Sequence, residues 1–128
     1  MTDLPPYAKL LRLSMSDGLV TMPFHDDVLG RPGFLHGGAI AGLLEFAAFE
    51  ALKAALGDEP ASLKPISVTV DYMRGGAARH GQTSAKGTVE RLGKRIANVE
   101  AIAWQHDPAR PIAAARINFL VERASAAA

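Results

Sequence analysis

Apolar and polar positions along this chain change their spacing at about residue 60, from one helix-forming stretch before it to the alternation of strands after it. Residues 37 to about 56 are nearly all helix formers and stop at Gly57, a natural C-cap. Ile40, Leu43, Leu44, Ala47, Ala51, Ala54 and Ala55 make much of this helix apolar but small. A helix that is apolar nearly all round is predicted to be buried nearly all round, and small side chains let a sheet wrap it closely. Beyond it the period falls to two. Residues 66–73 alternate β-branched and polar side chains, and 82–92 and 94–104 are two long alternating runs separated at Gly93, a tight reversal. Residues 112–121 close the set, with Ile117, Phe119 and Val121 on one face. Before the helix, 7–14 and 18–24 flank Ser16-Asp17-Gly18 and read as a hairpin, and 25–36, with Gly30, Pro32 and Gly33, reads as a loop. One long helix followed by a four-strand meander predicts an α+β domain, an antiparallel sheet curled around a central helix.

The 128 residues are one domain's worth, with a core expected over about 7–122 and 123–128 as a frayed tail. An apolar share of 48% and a net charge of +1 fit a folded chain. No stretch reaches the roughly 18 to 20 apolar residues of a membrane span. No basic n-region precedes an apolar core at the N-terminus, so a cytoplasmic location is expected. Cysteine is absent, which removes disulfides, thiolate metal sites and a cysteine nucleophile together. The balanced charge, with few aromatics and none gathered beside Lys or Arg, argues against a nucleic-acid partner. His25, His36, His80 and His106 include no pair at i, i+4 spacing, so neither a metal site nor a cofactor is expected. No Gly-x-Ser-x-Gly elbow and no Rossmann or P-loop fingerprint occurs.

Candidate chemistry concentrates between Phe34 and Glu45. Gly37 and Gly38 allow close backbone approach at a helix start, where unpaired N–H groups and the positive dipole end favour developing negative charge. Glu45 follows two turns later among Leu44, Phe46, Ala47 and Ala48, an environment costly to an unpaired carboxylate. A solvated stripe, an interior Arg partner and a functional role all account for it. The stripe is the weaker bland reading, because Glu50 falls on a different face.

His36-Gly37-Gly38, six residues and then Glu45 resemble the signature of hotdog-fold acyl-CoA thioesterases of the phenylacetate (PaaI-like) and 4-hydroxybenzoyl-CoA type. Val70-Asp71-Tyr72-Met73-Arg74 and the run from Arg91 through Lys94 and Arg95 to Glu100 resemble that family's next strand and hairpin, in the expected order. The resemblance implies a hotdog fold and hydrolysis of an acyl-CoA to free acid and CoA. It implies Glu45 as nucleophile or general base, the Gly37 N–H as oxyanion donor, and His36 as the residue shaping the turn. One departure stands out: the family commonly carries Asn or Gln six residues before the histidine, where this chain has Gly30, so that a neighbour such as Arg31 substitutes, the rate is lower, or the reaction differs.

Geometry adds an argument of its own. Gly37 and Glu45 lie roughly 12 Å apart along a helix, and a leaning Glu side chain recovers only about 4 to 5 Å. One thioester therefore needs two chains, with the helix running antiparallel to its copy, and a homodimer, with a dimer of dimers as its extension, is expected. Gly38 at the turn and Arg74, Arg91, Lys94 and Arg95 near strand ends are the candidate CoA contacts, the cations through charge-assisted hydrogen bonds to phosphate. Two alternatives stay open. One is an acyl-CoA binding module without turnover. The other is an enoyl-thioester hydratase or dehydratase, because Gly30-Arg31-Pro32 resembles the acyl-carrier-protein dehydratases, with His25 the nearest histidine.

Overall fold

A computed structural model describes residues 4–124; of the tail expected to fray over 123–128, Arg123 is instead the last residue of a strand and pairs with Glu59, and 125–128 lie outside the described residues. The elements are α1 (Pro6–Leu11), β1 (Ser14–Ser16), β2 (Leu19–Pro23), α2 (Gly37–Leu56), β3 (Ala61–Tyr72), β4 (Gln82–Leu92), β5 (Ile96–Trp104) and β6 (Ala113–Arg123). The six strands form one antiparallel sheet in the order β1-β2-β4-β5-β6-β3. No described helix is long and apolar enough to cross a membrane.

The central helix and the hairpin match their sequence signals. Gly57 closes α2 with a φ of 63° and donates to the carbonyls of Lys53 and Ala54. Asp17 and Gly18, at φ 53° and 79°, both adopt the left-handed region that a two-residue hairpin turn requires.

Three expectations need correction. Residues 7–11 are helical, because Pro5 and Pro6 preset the backbone for a first turn and Arg12 ends it in the left-handed region at φ 59°. The strand expected over 66–73 begins five residues earlier, at Ala61, with a bulge between Pro65 and Ser67. The meander holds for β4, β5 and β6 only. β3 crosses the sheet to pair with β6, while β2 takes the place beside β4.

Side-chain size decides how helix and sheet meet. Along β5 and β6 every second residue is buried, and most are alanine: Ala97, Ala101 and Ala103, then Ala113 and Ala115. Closest approach is at Gly87 of β4, where a Cβ would stand 2.6 Å from the Ala47 carbonyl oxygen and 2.9 Å from the Ala51 Cβ. Burial of α2 is not complete all round. Gly38, Ala41, Gly42, Glu45 and Phe49 form a stripe that the sheet leaves uncovered, and the last turn, with Ala54 and Ala55, is exposed. α1 and the inner face of β3 flank that stripe. β3 is itself an edge strand carrying exposed Ile66, Val68 and Tyr72.

Gly87→Ala is expected to lower stability by about 1–3 kcal/mol, because the obstructing atoms are helix backbone and cannot rotate aside. Urea denaturation of the two proteins measures it.

Candidate active site

The N-terminal turn of α2 is held by backbone bonds from two loops. His36 N–H donates to the Val28 carbonyl and Leu35 N–H to the Gly76 carbonyl, each at 2.8 Å. The segment supplying Gly76 is fixed in turn by Gln105, whose amide accepts from Ala77 N–H and donates to the Ala77 carbonyl, both at 3.1 Å.

His36 is the N-cap, extended at φ −71° and ψ 135°, and its Nδ1 accepts from Gly38 N–H at 2.9 Å. Acceptance at Nδ1 puts the ring proton on Nε2, so the imidazole acts as a neutral cap. That bond divides the work of the two glycines. Gly38 N–H is used, whereas Gly37 N–H has no acceptor among the described residues. The carbonyl of the same peptide, that of His36, accepts from Ala39 at 3.0 Å and Ile40 at 3.2 Å, which polarises the free N–H further. From the other side Tyr72 Oη donates to the Gly37 carbonyl at 2.8 Å.

Glu45 lies two turns on, in the uncovered stripe. The interior-arginine reading does not hold, because the ion pairs among the described residues are Lys53 with Glu50 and Arg123 with Glu59. An ordinary solvated stripe does not hold either, since Glu45 is the one charged side chain along a groove of about 620 Å³ otherwise walled by residues such as Leu11, Phe46, Phe49 and Phe119. A carboxylate that is open to solvent yet walled by hydrocarbon is placed to meet a ligand that is itself part apolar.

The four expected CoA-binding cations do not form one cluster within the chain. Arg91, Lys94 and Arg95 stand at the β4–β5 reversal, whereas Arg74 follows the far end of β3. Arg91 is level with Ser67 across the sheet, which leaves Arg74 about 23 Å further along the strand direction. Arg74 instead lines a shallow hollow of about 290 Å³ beside Gly37, with Tyr72, Phe34 and Arg31. There the Arg31 guanidinium sits 4.3 Å above the Phe34 ring.

Gly30 has a local reason. A Cβ there would lie 2.9 Å from His36 Cα and 3.2 Å from His36 N, so the turn closes over a residue with no side chain. His25, the histidine considered for dehydratase chemistry, has its Nε2 3.0 Å from the Leu11 carbonyl and ties the loop to α1. Tyr72 and Gln105 escape a reading of the sequence alone. Tyr72 sits within a quoted motif, yet only folding reveals that its hydroxyl meets Gly37, and nothing around Gln105 signals its role.

The Thioesterase superfamily model matches residues 32–112, from the loop before α2 to the start of β6. A solved structure from Chromobacterium violaceum is 32% identical over 90% of this chain and 82% of that one, with a TM-score of 0.72. A Bacillus halodurans protein crystallised with CoA shares 24% identity over 93% of this chain and 77% of its own, with a TM-score of 0.80. A phenylacetic acid degradation-related protein from Ralstonia eutropha superposes with a TM-score of 0.78 at 21% identity, covering 93% and 92%. No curated protein matches by sequence. With the family model spanning both the helix turn and the strands that hold it, and the sheet wrapped on its helix as in these relatives, the chain belongs to the Thioesterase superfamily of hotdog-fold thioester hydrolases.

Proposed function

We propose that the chain hydrolyses acyl-CoA thioesters at two composite sites of a homodimer. The observation that carries this reading is the free Gly37 N–H and the groove-facing Glu45 on one helix, too far apart to serve one carbonyl. Their separation is roughly 12 Å along the axis, against the approximately 3 Å that a reacting carbonyl requires from both donor and attacker.

The uncovered face supports the pairing. β3 offers an unpaired edge of 12 residues with apolar side chains on it. A two-fold axis here runs the two helices antiparallel and sets Glu45 opposite Gly37 of the partner subunit. It also turns Arg74 toward the end of the partner sheet at which Arg91, Lys94 and Arg95 stand, two to three strands in from the β3 edge. CoA phosphates are placed there, with Gly38 at the turn lining the thioester path.

In the reaction, Glu45 attacks the thioester carbon or removes a proton from a water that does. The carbonyl oxygen becomes an oxyanion held by Gly37 N–H of the partner subunit. When the carbonyl re-forms the C–S bond breaks, CoA leaves as thiolate and takes up a proton, and the net addition of water gives the free acid. His36 fixes the turn, its Nδ1 accepting from Gly38 N–H. A second reading, binding of acyl-CoA without turnover, rests on the missing side chain at Gly30.

Glu45→Gln and Gly37→Pro are each expected to lower thiol release by about 100- to 1,000-fold across an acyl-CoA panel. Proline suits this position, since it lies at the first helical residue and the extended His36 before it is the conformation a proline prefers. Co-refolding the two inactive variants at equal amounts is expected to restore about a quarter of wild-type activity, because each heterodimer then holds one intact composite site. No recovery overturns the composite site, and equal thiol release by Glu45→Gln and wild type overturns the hydrolase. Tight acyl-CoA binding by a dimeric wild type that releases no thiol selects the second reading.

Combining Arg74→Ala with Lys94→Ala is expected to weaken CoA binding and flatten its salt dependence, read by calorimetry at two ionic strengths. Gly30→Asn is expected to lower both stability, by about 1–3 kcal/mol, and thiol release, because its Cβ displaces the His36 backbone. Thermal melts and initial rates measure the two effects.

A further inference from the structure

Tyr7 of α1 lies across the same stripe of α2 that bears Glu45. Its ring rests on Gly42, where a Cβ would stand 2.5 Å from Tyr7 Cε2, and its hydroxyl donates to the Gly38 carbonyl at 3.4 Å. The side chain thus spans the turn from Gly42 back to Gly38. Helical side chains lean toward the N-terminus, so this is the turn toward which the Glu45 carboxylate is directed. Half of the Tyr7 residue is in solvent, at 51% exposure, while the ring edge facing α2 is fixed.

We propose that Tyr7 determines which acyl groups the groove accepts, by narrowing the part over Gly42 and Gly38, N-terminal to Glu45. The inference rests on the acyl-thioester reading above and adds the substrate class to it. Apart from Glu45 and the Tyr7 hydroxyl, the side chains lining the groove are hydrocarbon, so it offers nothing to recognise a polar substituent. Its ligand is a compact hydrocarbon acyl group whose thioester end lies at Glu45 and whose far end runs over Gly42 and meets the Tyr7 ring. Gly42 is part of the device, because any side chain there takes the space the ring occupies.

The test measures the dodecanoyl-CoA to butyryl-CoA preference in Tyr7→Ala, Tyr7→Phe and Tyr7→Trp. It is read twice: as the ratio of kcat/KM, and as the ratio of binding constants in a Glu45→Gln background that does not turn over. Each methylene given room is worth about fourfold, so Tyr7→Ala is expected to raise the preference for the longer chain about tenfold or more in both readouts. Tyr7→Phe keeps the wild-type ratio, since the ring and not the hydroxyl is the obstacle, and Tyr7→Trp lowers it. A Tyr7→Ala ratio within about twofold of wild type, or a proportional fall for both substrates, overturns the gate. If no wild-type thiol release is seen while the binding ratio still shifts, the hydrolase reading fails and the gate stands. Normal hydrolysis with an unmoved ratio gives the reverse.

Discussion

The contact between α2 and β4 constrains much of what surrounds it. With Gly87 beneath Ala47 and Ala51, and alanines at most of the inward positions of β5 and β6 nearby, the helix lies almost on the sheet backbone. At that separation the strands curl around its sides, and only one stripe stays uncovered. Of the candidate residues, Gly38 and Glu45 lie on that stripe. A helix held by larger side chains would stand off the sheet, and Glu45 would face an open flank instead of a groove shared by α1 and β3.

Within that frame, the first turn of α2 is specialised by how its orphan donors are assigned. A helix start leaves several N–H groups without intrahelical partners, and a typical N-cap side chain takes one of them. Here the imidazole of His36 takes Gly38, and the doubly engaged His36 carbonyl sharpens the peptide whose N–H is left over. Tyr72 from β3 and the Gly76 loop, itself locked by Gln105, hold the turn from outside. The free donor is therefore preorganised. Gly30 belongs to the same construction, because the turn closes over the space a side chain would need.

The uncovered edge of β3 and the uncovered stripe of α2 are adjacent, and both are more apolar than a finished surface requires. A single axis through that region would satisfy the edge hydrogen bonds, bury the apolar side chains and join the two halves of the proposed site.

Much of the fold was written locally. Helix formers ending at Gly57, the Asp17-Gly18 reversal and alternation along β4, β5 and β6 state their own conformations, because period and turn chemistry are short-range properties. The order of Gly37, Gly38 and Glu45 also marked the site-bearing segment. Strand order was not legible, since β3 pairs with β6 across about 50 residues of chain, and no local pattern encodes so distant a partner. The N-terminal segment misled because a short apolar run suits helix or strand equally, and paired prolines together with packing of Ala8 and Leu11 into the core decide for helix. Likewise, only the folded chain determines that Gly38 is capped while Gly37 is free, that Glu45 faces hydrocarbon, and that Tyr7 and Tyr72 reach α2. Each depends on side chains converging from segments remote in sequence, whereas the sequence by itself settles the conformation of neighbours.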